Sequence, residues 1–268
     1  MIKNTEISWR RREYLKDLRR HQIKVISTQL LLIVAVFSLW EIAADLRWID
    51  PFVTSQPSRM VATLRLLHAD GSLYVHIATT IWETFVGFML GTVGGLIIAV
   101  VLWWSDFLFQ VFEPYLVVLN ALPKVALGPI LIVWLGNGQG AIIAMALLIS
   151  IIVSIITMLH GFRSVDEEKI KLLKSFGANK FTILRKVILP ASLPNTISAL
   201  KVNVGLSWVG VIMGEFLVSR AGLGYLIVYG SQVFKLDLVM TSVIILIIAA
   251  TFMYLLVAYL EKKLIKWN

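Results

Sequence analysis

The chain has 268 residues, of which 58% are hydrophobic and only 15% are charged. Soluble domains carry about 25% charged residues, so this composition excludes an ordinary soluble enzyme and predicts an all-α polytopic membrane protein with about six transmembrane helices. The net charge of +9 raises the question of a nucleic-acid partner, and the absence of cysteine excludes disulfides, thiol catalysis and cysteine-ligated metals.

The basic residues are distributed unequally between the predicted loops. Eight Lys and Arg lie in residues 1–25, seven in 161–195 and three after Glu261, whereas the loops on the opposite side hold five. This is the positive-inside pattern, which argues against nucleic acid and predicts that both termini are cytoplasmic. The expected organisation is a cytoplasmic basic segment over residues 1–24, followed by a transmembrane domain over 25–268.

Six apolar stretches predict the membrane spans, at residues 25–45, 80–104, 111–135, 140–160, 196–218 and 238–260. The first stretch is too long for the apolar core of a signal peptide, so we expect it to be an uncleaved span. Residues 58–69 predict a short amphipathic helix at the outer membrane surface. Gly71 is a plausible end for that helix.

The second and third spans have features that predict how they pack. Glycines recur every four residues on one face of the second span, which favours close approach of another helix; they are Gly87, Gly91 and Gly95. The third span contains the helix-breaking residues Pro114, Pro123, Gly128 and Pro129. A broken helix at membrane depth needs protein or a water-filled cavity around it, so we expect the third span to line a pathway or to pack centrally.

The polar segment between the fourth and fifth spans, residues 161–195, is named the basic loop. Ser164 and Glu167 predict a capping box at the start of a helix, and Glu167 with Lys171 predicts a favourable i,i+4 ion pair. The same helix has an apolar edge formed by Ile170, Leu173 and Phe176.

The sequence also predicts where this helix ends and what structure the rest of the basic loop adopts. Gly177 predicts the helix end, and a second short helix is expected over residues 182–189, ended by Pro190 and Pro194. A short helix with an apolar edge and charged flanks suits recognition by a groove on a partner protein. A solvated linker without a partner is the alternative.

Three motifs then show a resemblance to a known family. Gly177 is followed after nine residues by Val187-Ile188-Leu189-Pro190; the other two motifs are Leu122 to Pro129 with Trp134-Leu135-Gly136, and Met213 to Phe216 with Ala221 to Ile227. Together they resemble the type I permeases of binding-protein-dependent ABC importers, in the branch for sulfonates, taurine and nitrate that also includes pyrimidine-precursor importers. The family often has Glu-Ala-Ala where this chain has Lys171-Leu172-Leu173.

The resemblance implies a fold, partners and a coupling element. The implied function is that of a transmembrane permease subunit of an ATP-driven importer, which forms the translocation pathway and takes up a small anion (sulfonate, taurine or nitrate) or a pyrimidine or vitamin precursor. The implied partners are two copies of an ABC ATPase, an extracellular or periplasmic solute-binding protein and a second permease copy, all at the bacterial cell membrane. The implied coupling residues are Asp166, Glu167, Ile170, Lys171, Leu173, Lys174, Phe176, Gly177, Leu189 and Pro190.

The chain has no motif for ATP hydrolysis of its own. A phosphate-binding loop needs Gly-Lys within G-x4-G-K-[ST], and the dipeptide Gly-Lys does not occur in the sequence. We therefore expect no cofactor on this chain, no catalytic residues, and ATP-Mg on the partner subunit. The scattered histidines, such as His68 and His76, lack the spacing and carboxylate partners of a metal site, so no metal is expected.

Polar residues within the spans are candidates for the translocation pathway, because charged and polar groups at membrane depth are costly. The candidates are Asn120, Lys124, Asn203, Ser207 and Glu215. Lys124 and Glu215 are possible partners in an ion pair. Glu83 is expected near a span end, where its side chain can reach the interface.

Two other functions are considered from the residues alone. A stand-alone secondary transporter or channel would account for the broken third span and for Lys124 and Glu215, but not for the helix in the basic loop. An intramembrane enzyme is disfavoured, because no paired acid and base and no metal ligands are found.

Overall fold

The computed structural model describes residues 9–264, which form helices and no strand. The helices are α1 (Trp9–Asp45), α2 (Pro51–Thr54), α3 (Pro57–Ala69), α4 (Ser72–Trp104), α5 (Asp106–Ala121), α6 (Gly128–Leu135), α7 (Gln139–Arg163), α8 (Glu167–Ser175), α9 (Lys180–Ile183), α10 (Leu189–Ala191), α11 (Leu193–Val218), α12 (Leu223–Gln232) and α13 (Leu236–Leu264). A 3₁₀ turn, Lys124–Leu127, precedes α6, and a π-helical turn, Leu184–Ile188, joins α9 to α10.

The described helices confirm the predicted class of an all-α membrane protein with about six spans. Five of them are long and apolar enough to cross a membrane: α1, α4, α7, α11 and α13. The sixth predicted span is broken, since α5 and the helical segment Lys124–Leu135 meet at an angle of 88°. α5 continues through Pro114, and the break falls at Pro123.

The described residues divide into two compact units, the first ending at Ala62 and the second beginning at Thr63. In the first unit, the Glu41 carboxylate of α1 accepts a hydrogen bond from the Ser58 backbone N–H at 2.9 Å. The predicted boundary at residue 24 falls inside α1, and the part of the basic segment before Trp9 lies outside the described residues. α3 coincides with the predicted amphipathic helix, and the left-handed Gly71 (φ 76°) follows it.

The second unit is built around α4, α7 and α11. The predicted glycine face of α4 lies directly against α7, with Gly87, Gly91 and Gly95 facing Ala146, Ser150 and Ser154. Gly210 and Gly214 of α11 face Ala146 and Ile142 of α7. A Cβ atom on any of these five glycines would collide with α7, so the three helices are packed at close range and fill the centre of the unit.

α12 has no counterpart among the helices predicted from the sequence. It lies in the segment between the fifth and sixth predicted spans, where no helix is predicted. Leu223 and Leu226 of α12 are buried together with Leu238 of α13, so this segment covers the end of the bundle.

Candidate functional site

The first helix of the basic loop, α8, begins at Asp166. The Asp166 Oδ1 atom accepts a hydrogen bond from the Glu168 backbone N–H at 2.9 Å, which is the normal role of an aspartate N-cap. The Ser164 hydroxyl donates to the Gly161 carbonyl of α7 instead. The predicted capping box is therefore wrong, because α7 continues to Arg163 and its last turn takes the Ser164 hydroxyl.

Charged side chains cover much of the exposed surface of α8. Glu167 Oε2 and Lys171 Nζ lie 3.5 Å apart, which confirms the predicted ion pair, and both side chains are exposed. Acidic residues lie in the first turn and Lys174 in the last, matching the helix dipole. Exposed ion pairs contribute little to stability. Because these side chains are exposed, they are accessible to a partner protein.

The apolar residues of α8 lie on two different faces. Ile170 and Leu173 pack against a buried core that includes Phe162 of α7. Leu172 is 57% exposed and Phe176 is 77% exposed. The predicted apolar edge is thus divided: two of its members attach α8 to the core, whereas Phe176 points away from the core together with Leu172.

Gly177 ends α8, as predicted. Its φ of +76° lies in the left-handed region, and its N–H donates to the Lys174 carbonyl at 3.0 Å. The next N–H, of Ala178, donates to the Leu173 carbonyl at 3.0 Å. This is a glycine C-terminal cap, and no atom lies within 4 Å of a Cβ built there, so the conformation rather than space requires glycine.

The second half of the basic loop stays helical as far as α11. Asn179 caps α9 by accepting from the Thr182 N–H at 2.8 Å, and the π-helical turn then leads into α10. The prediction that Pro190 and Pro194 end a helix is wrong, because α11 begins only one residue after α10. Leu189 and Pro190 are exposed.

Two cations connect the basic loop and the end of α7 to the junction of α4 and α5. Lys180 Nζ donates to the Trp104 carbonyl at 2.6 Å and lies 5.8 Å from the centre of the Trp103 ring. Arg163 Nη1 lies 3.3 Å from Asp106 Oδ1. Displacement of the loop would therefore act on α4 and α5 as well as on α7 and α11.

The structure separates the five candidate pathway residues into two groups. Asn120 is exposed and Lys124 is partly exposed, and Lys124 Nζ donates to the Asn120 carbonyl at 3.1 Å, beside the break after α5. Asn203, Ser207 and Glu215 of α11 are buried among the helices. The structure contains no Lys124–Glu215 ion pair, because these two residues lie in different environments and Glu215 has other partners.

Glu215 is the centre of a hydrogen-bond cluster that joins the start of α12 to α4. Its Oε1 atom accepts from the Thr80 hydroxyl at 2.6 Å. The three consecutive N–H groups of residues 222–224 donate to His76 Nδ1, Thr80 Oγ1 and Glu215 Oε2, at 2.9, 2.7 and 2.5 Å. A Cβ on either glycine of this segment would collide with the Glu215 carboxylate, which explains the Gly-Leu-Gly sequence there.

The roles of His76 and Thr80 in this cluster were missed from the sequence. The only signal was the spacing of Gly222-Leu223-Gly224 shortly after Glu215, within the third motif of the family resemblance. The expectation for Glu83 was wrong as well: its side chain is 0% exposed, because α4 begins at Ser72, two turns earlier than predicted, and Glu83 lies inside the bundle.

Comparison with known proteins identifies the family. A model described as the inner membrane component of binding-protein-dependent transport systems matches residues 91–266. The chain belongs to this family. A Bacillus subtilis relative named as the aliphatic sulfonates transport permease SsuC is 28% identical over 239 residues, covering 89% of this chain and 87% of the relative. The taurine transport permease TauC of Escherichia coli is 22% identical, covering 99% and 97%.

A further relative and two solved structures are consistent with this assignment. An ABC transporter permease of Haemophilus influenzae is 30% identical, covering 89% of this chain and 96% of the relative. The inward-facing MetNI methionine ABC transporter has a TM-score of 0.61 at 20% identity, covering 71% and 95%. A bacterial ABC transporter for alginate import has a TM-score of 0.64 at 13% identity, covering 95% and 100%. These two structures share the fold.

The protein is thus a permease subunit of a type I ABC importer, in the sulfonate and taurine branch. It is a multi-pass protein of the bacterial inner membrane that works with a separate ATPase and a solute-binding protein, and ATP is hydrolysed by the ATPase. The stand-alone transporter and the intramembrane enzyme are excluded by this membership.

Proposed function

We propose that α8 is the element through which the ATPase acts on this permease. The observation that carries the proposal is the division of α8 into two faces. Ile170 and Leu173 attach the helix to the core, while Leu172 and Phe176 are exposed between charged residues. A helix attached on one side and exposed on the other can bind in a groove of the ATPase and transmit its movement to the bundle.

The other predicted coupling residues lie at positions that are consistent with this proposal. Asp166 and Gly177 fix the two ends of α8 through their cap hydrogen bonds. Glu167, Lys171 and Lys174 supply exposed charges that set the register with the partner. Leu189 and Pro190 lie where the loop leads into α11.

Replacing Leu172 and Phe176 together by Asp tests the docking role. Each side chain contributes about 1.5–3 kcal/mol when it becomes fully buried, so the double variant should bind the ATPase at least about 100-fold more weakly. The measurement is co-purification of the ATPase from membranes in mild detergent, together with substrate-stimulated ATP hydrolysis. Lys169→Ala, an exposed change on the same helix, is the matched control and should retain the ATPase.

The thermal stability of the double variant should equal that of the unaltered protein, because neither side chain packs in the core. Full retention of ATPase binding by a stable double variant would contradict docking through α8. Loss of binding in both the double variant and Lys169→Ala would show that the assay reports general damage.

The pathway is proposed to lie between two copies of this permease, with two ATPases on the inner side. The close packing of α4, α7 and α11 leaves no room for a channel through one subunit, which supports a pathway on an exposed face. Asn120 and Lys124, beside the break after α5, are then pathway residues. Asn203 and Glu215 instead form hydrogen bonds between helices of the bundle, and Ser207 is buried among them. The excess of basic residues supports placing the basic loop and both termini in the cytoplasm.

The proposed substrate is a small organic anion of the sulfonate class, and ATP-Mg is bound by the ATPase alone. The names of the relatives SsuC and TauC support this class, and Lys124 provides a partly exposed cation beside the break. The alternative substrate is a vitamin or pyrimidine precursor.

Uptake by the reconstituted complex tests the substrate class. Proteoliposomes that contain the permease, its ATPase and its solute-binding protein should accumulate taurine or an alkanesulfonate when ATP is enclosed. Lys124→Gln should reduce the uptake rate several-fold while ATPase binding is retained, because the cation is lost but α8 is unchanged. ATP-dependent uptake of a pyrimidine precursor or of an uncharged sugar, without uptake of sulfonates, would contradict the assignment.

A further inference from the structure

Glu83 is the least expected residue in the interior of the bundle. Its side chain is 0% exposed, and neither carboxyl oxygen has a hydrogen-bond donor among the described residues. The hydroxyl of the adjacent Thr84 is also buried without a partner. A bare carboxylate buried without donors is very costly, and such a group normally becomes neutral by binding a proton.

The register of α4 and α11 brings Glu83 to Glu215. The two helices are antiparallel, since Thr80 contacts Glu215 at 2.6 Å and Thr92 contacts Asn203 at 3.3 Å. Glu83 is one turn from Thr80 on the same face of α4. Glu83 therefore lies on the face of α4 that contacts Glu215, and both side chains are buried there.

The surroundings of the two carboxyl groups differ. Glu215 accepts from the Thr80 hydroxyl and from the backbone N–H groups of Gly224 and Tyr225, at the N-terminus of α12. Hydrogen-bond donors and a helix N-terminus both stabilise a negative charge. Glu83 has no such donors, so a single proton shared by the pair is best held by Glu83.

We propose that Glu83 and Glu215 form a proton-binding site inside the bundle, in which protonated Glu83 donates a hydrogen bond to the Glu215 carboxylate. The proton removes the repulsion between two buried carboxylates, and it allows Glu215 to hold residues 222–224 against α4. Loss of the proton leaves two like charges in contact and weakens the attachment of α12. The site therefore acts as a proton-dependent latch between α4 and α12.

Few other titratable groups surround the pair. At the same end of the bundle they are His76 of α4, Tyr225 and Tyr229 of α12, Asp237 of α13, and the exposed cations Arg220 and Lys235 on either side of α12. Those of the other neighbouring helices lie towards the opposite end: His160 and Arg163 of α7, Asp106 and Glu113 of α5, and Lys201 of α11, which is 2.5 Å from Glu261. Arg220 and Lys235 are exposed to solvent, and among the described residues no ion pair joins a cation to Glu83 or Glu215 in place of the proton.

Infrared spectroscopy of the purified full-length permease tests the proposal without substrate or ATPase. The spectrum at neutral pH should contain the carbonyl band of a protonated carboxylic acid, shifted in D₂O. The band should be absent in Glu83→Gln and retained in Glu113→Gln, whose side chain is exposed. Absence of the band from the unaltered protein, or its survival in Glu83→Gln, would overturn the proposal.

Stability against pH provides the second readout. The contribution of the site is complete while the proton is bound, and it is lost as the pH rises and the proton leaves. The melting temperature of the unaltered protein should therefore fall at alkaline pH together with the infrared band. Glu83→Gln should keep its melting temperature there, since an amide donates to Glu215 at any pH. If Glu83→Gln fails to fold, the pH titration of the unaltered protein still decides: a band that persists while the melting temperature falls contradicts the latch.

Discussion

Glycine positions on one helix face set how closely the central helices approach. Gly91 lies against Ser150 of α7, whose hydroxyl donates to the Ala146 carbonyl at 2.8 Å. Gly94, less than one turn away on the same helix, has only the flexible tip of Ile151 at 3.4 Å from a Cβ built there. The two glycines have the same helical backbone, so they differ only in what their side chains would contact.

Alanine at these two positions should therefore have opposite effects on stability. Gly91→Ala should destabilise by about 1–3 kcal/mol, because the new methyl group overpacks the α4–α7 contact. Gly94→Ala should be neutral or stabilising by up to about 1 kcal/mol, because alanine favours the helix over glycine. The measurement is the melting temperature of each purified variant in the same detergent. Equal destabilisation by both would show that loss of glycine flexibility, and not α7, is responsible.

At the scale of the helices, the sequence predicted what depends on local patterns. Runs of apolar residues defined the spans, Pro123 defined the break after α5, and Gly177 defined the end of α8. Each of these features has a local cause. A span needs a sufficient length of apolar chain, Pro123 lacks a backbone N–H group, and Gly177 adopts a left-handed conformation. The glycine face of α4 was predicted for the same reason.

The features that were wrong or missed depend on distant parts of the chain. Periodicity places Ile170, Leu173 and Phe176 on one edge of α8, but it does not state which of them the core of α4 and α7 covers. The buried position of Glu83 and the pairing of Glu215 with Thr80 result from the register between α4 and α11. α12 is short and rich in glycine, and its stability comes from contacts with α4, α11 and α13 rather than from its own sequence.

At the scale of the whole subunit, a filled interior and an exposed broken helix favour a pathway at a contact between copies. Side chains of α5 such as Tyr115, Val117 and Val118 are more than 60% exposed, although α5 belongs to a span with a break after Ala121. Lipid is a poor environment for a broken helix, because the freed backbone groups have no partner there. A second subunit or a water-filled pathway would supply hydrogen-bond partners for these backbone groups.

The absence of cysteine allows a direct test of this arrangement. A single cysteine at Asn120 should be cross-linked between copies by a short bifunctional thiol reagent, because the proposed homodimer would place two equivalent sites opposite each other across its two-fold axis. A single cysteine at Ile248, exposed on α13, is the control and should remain uncross-linked. Every linked product contains two copies, since each chain carries one thiol. Cross-linking at Ile248 but not at Asn120, measured on the assembled complex in membranes, would move the interface from the break after α5 to α13.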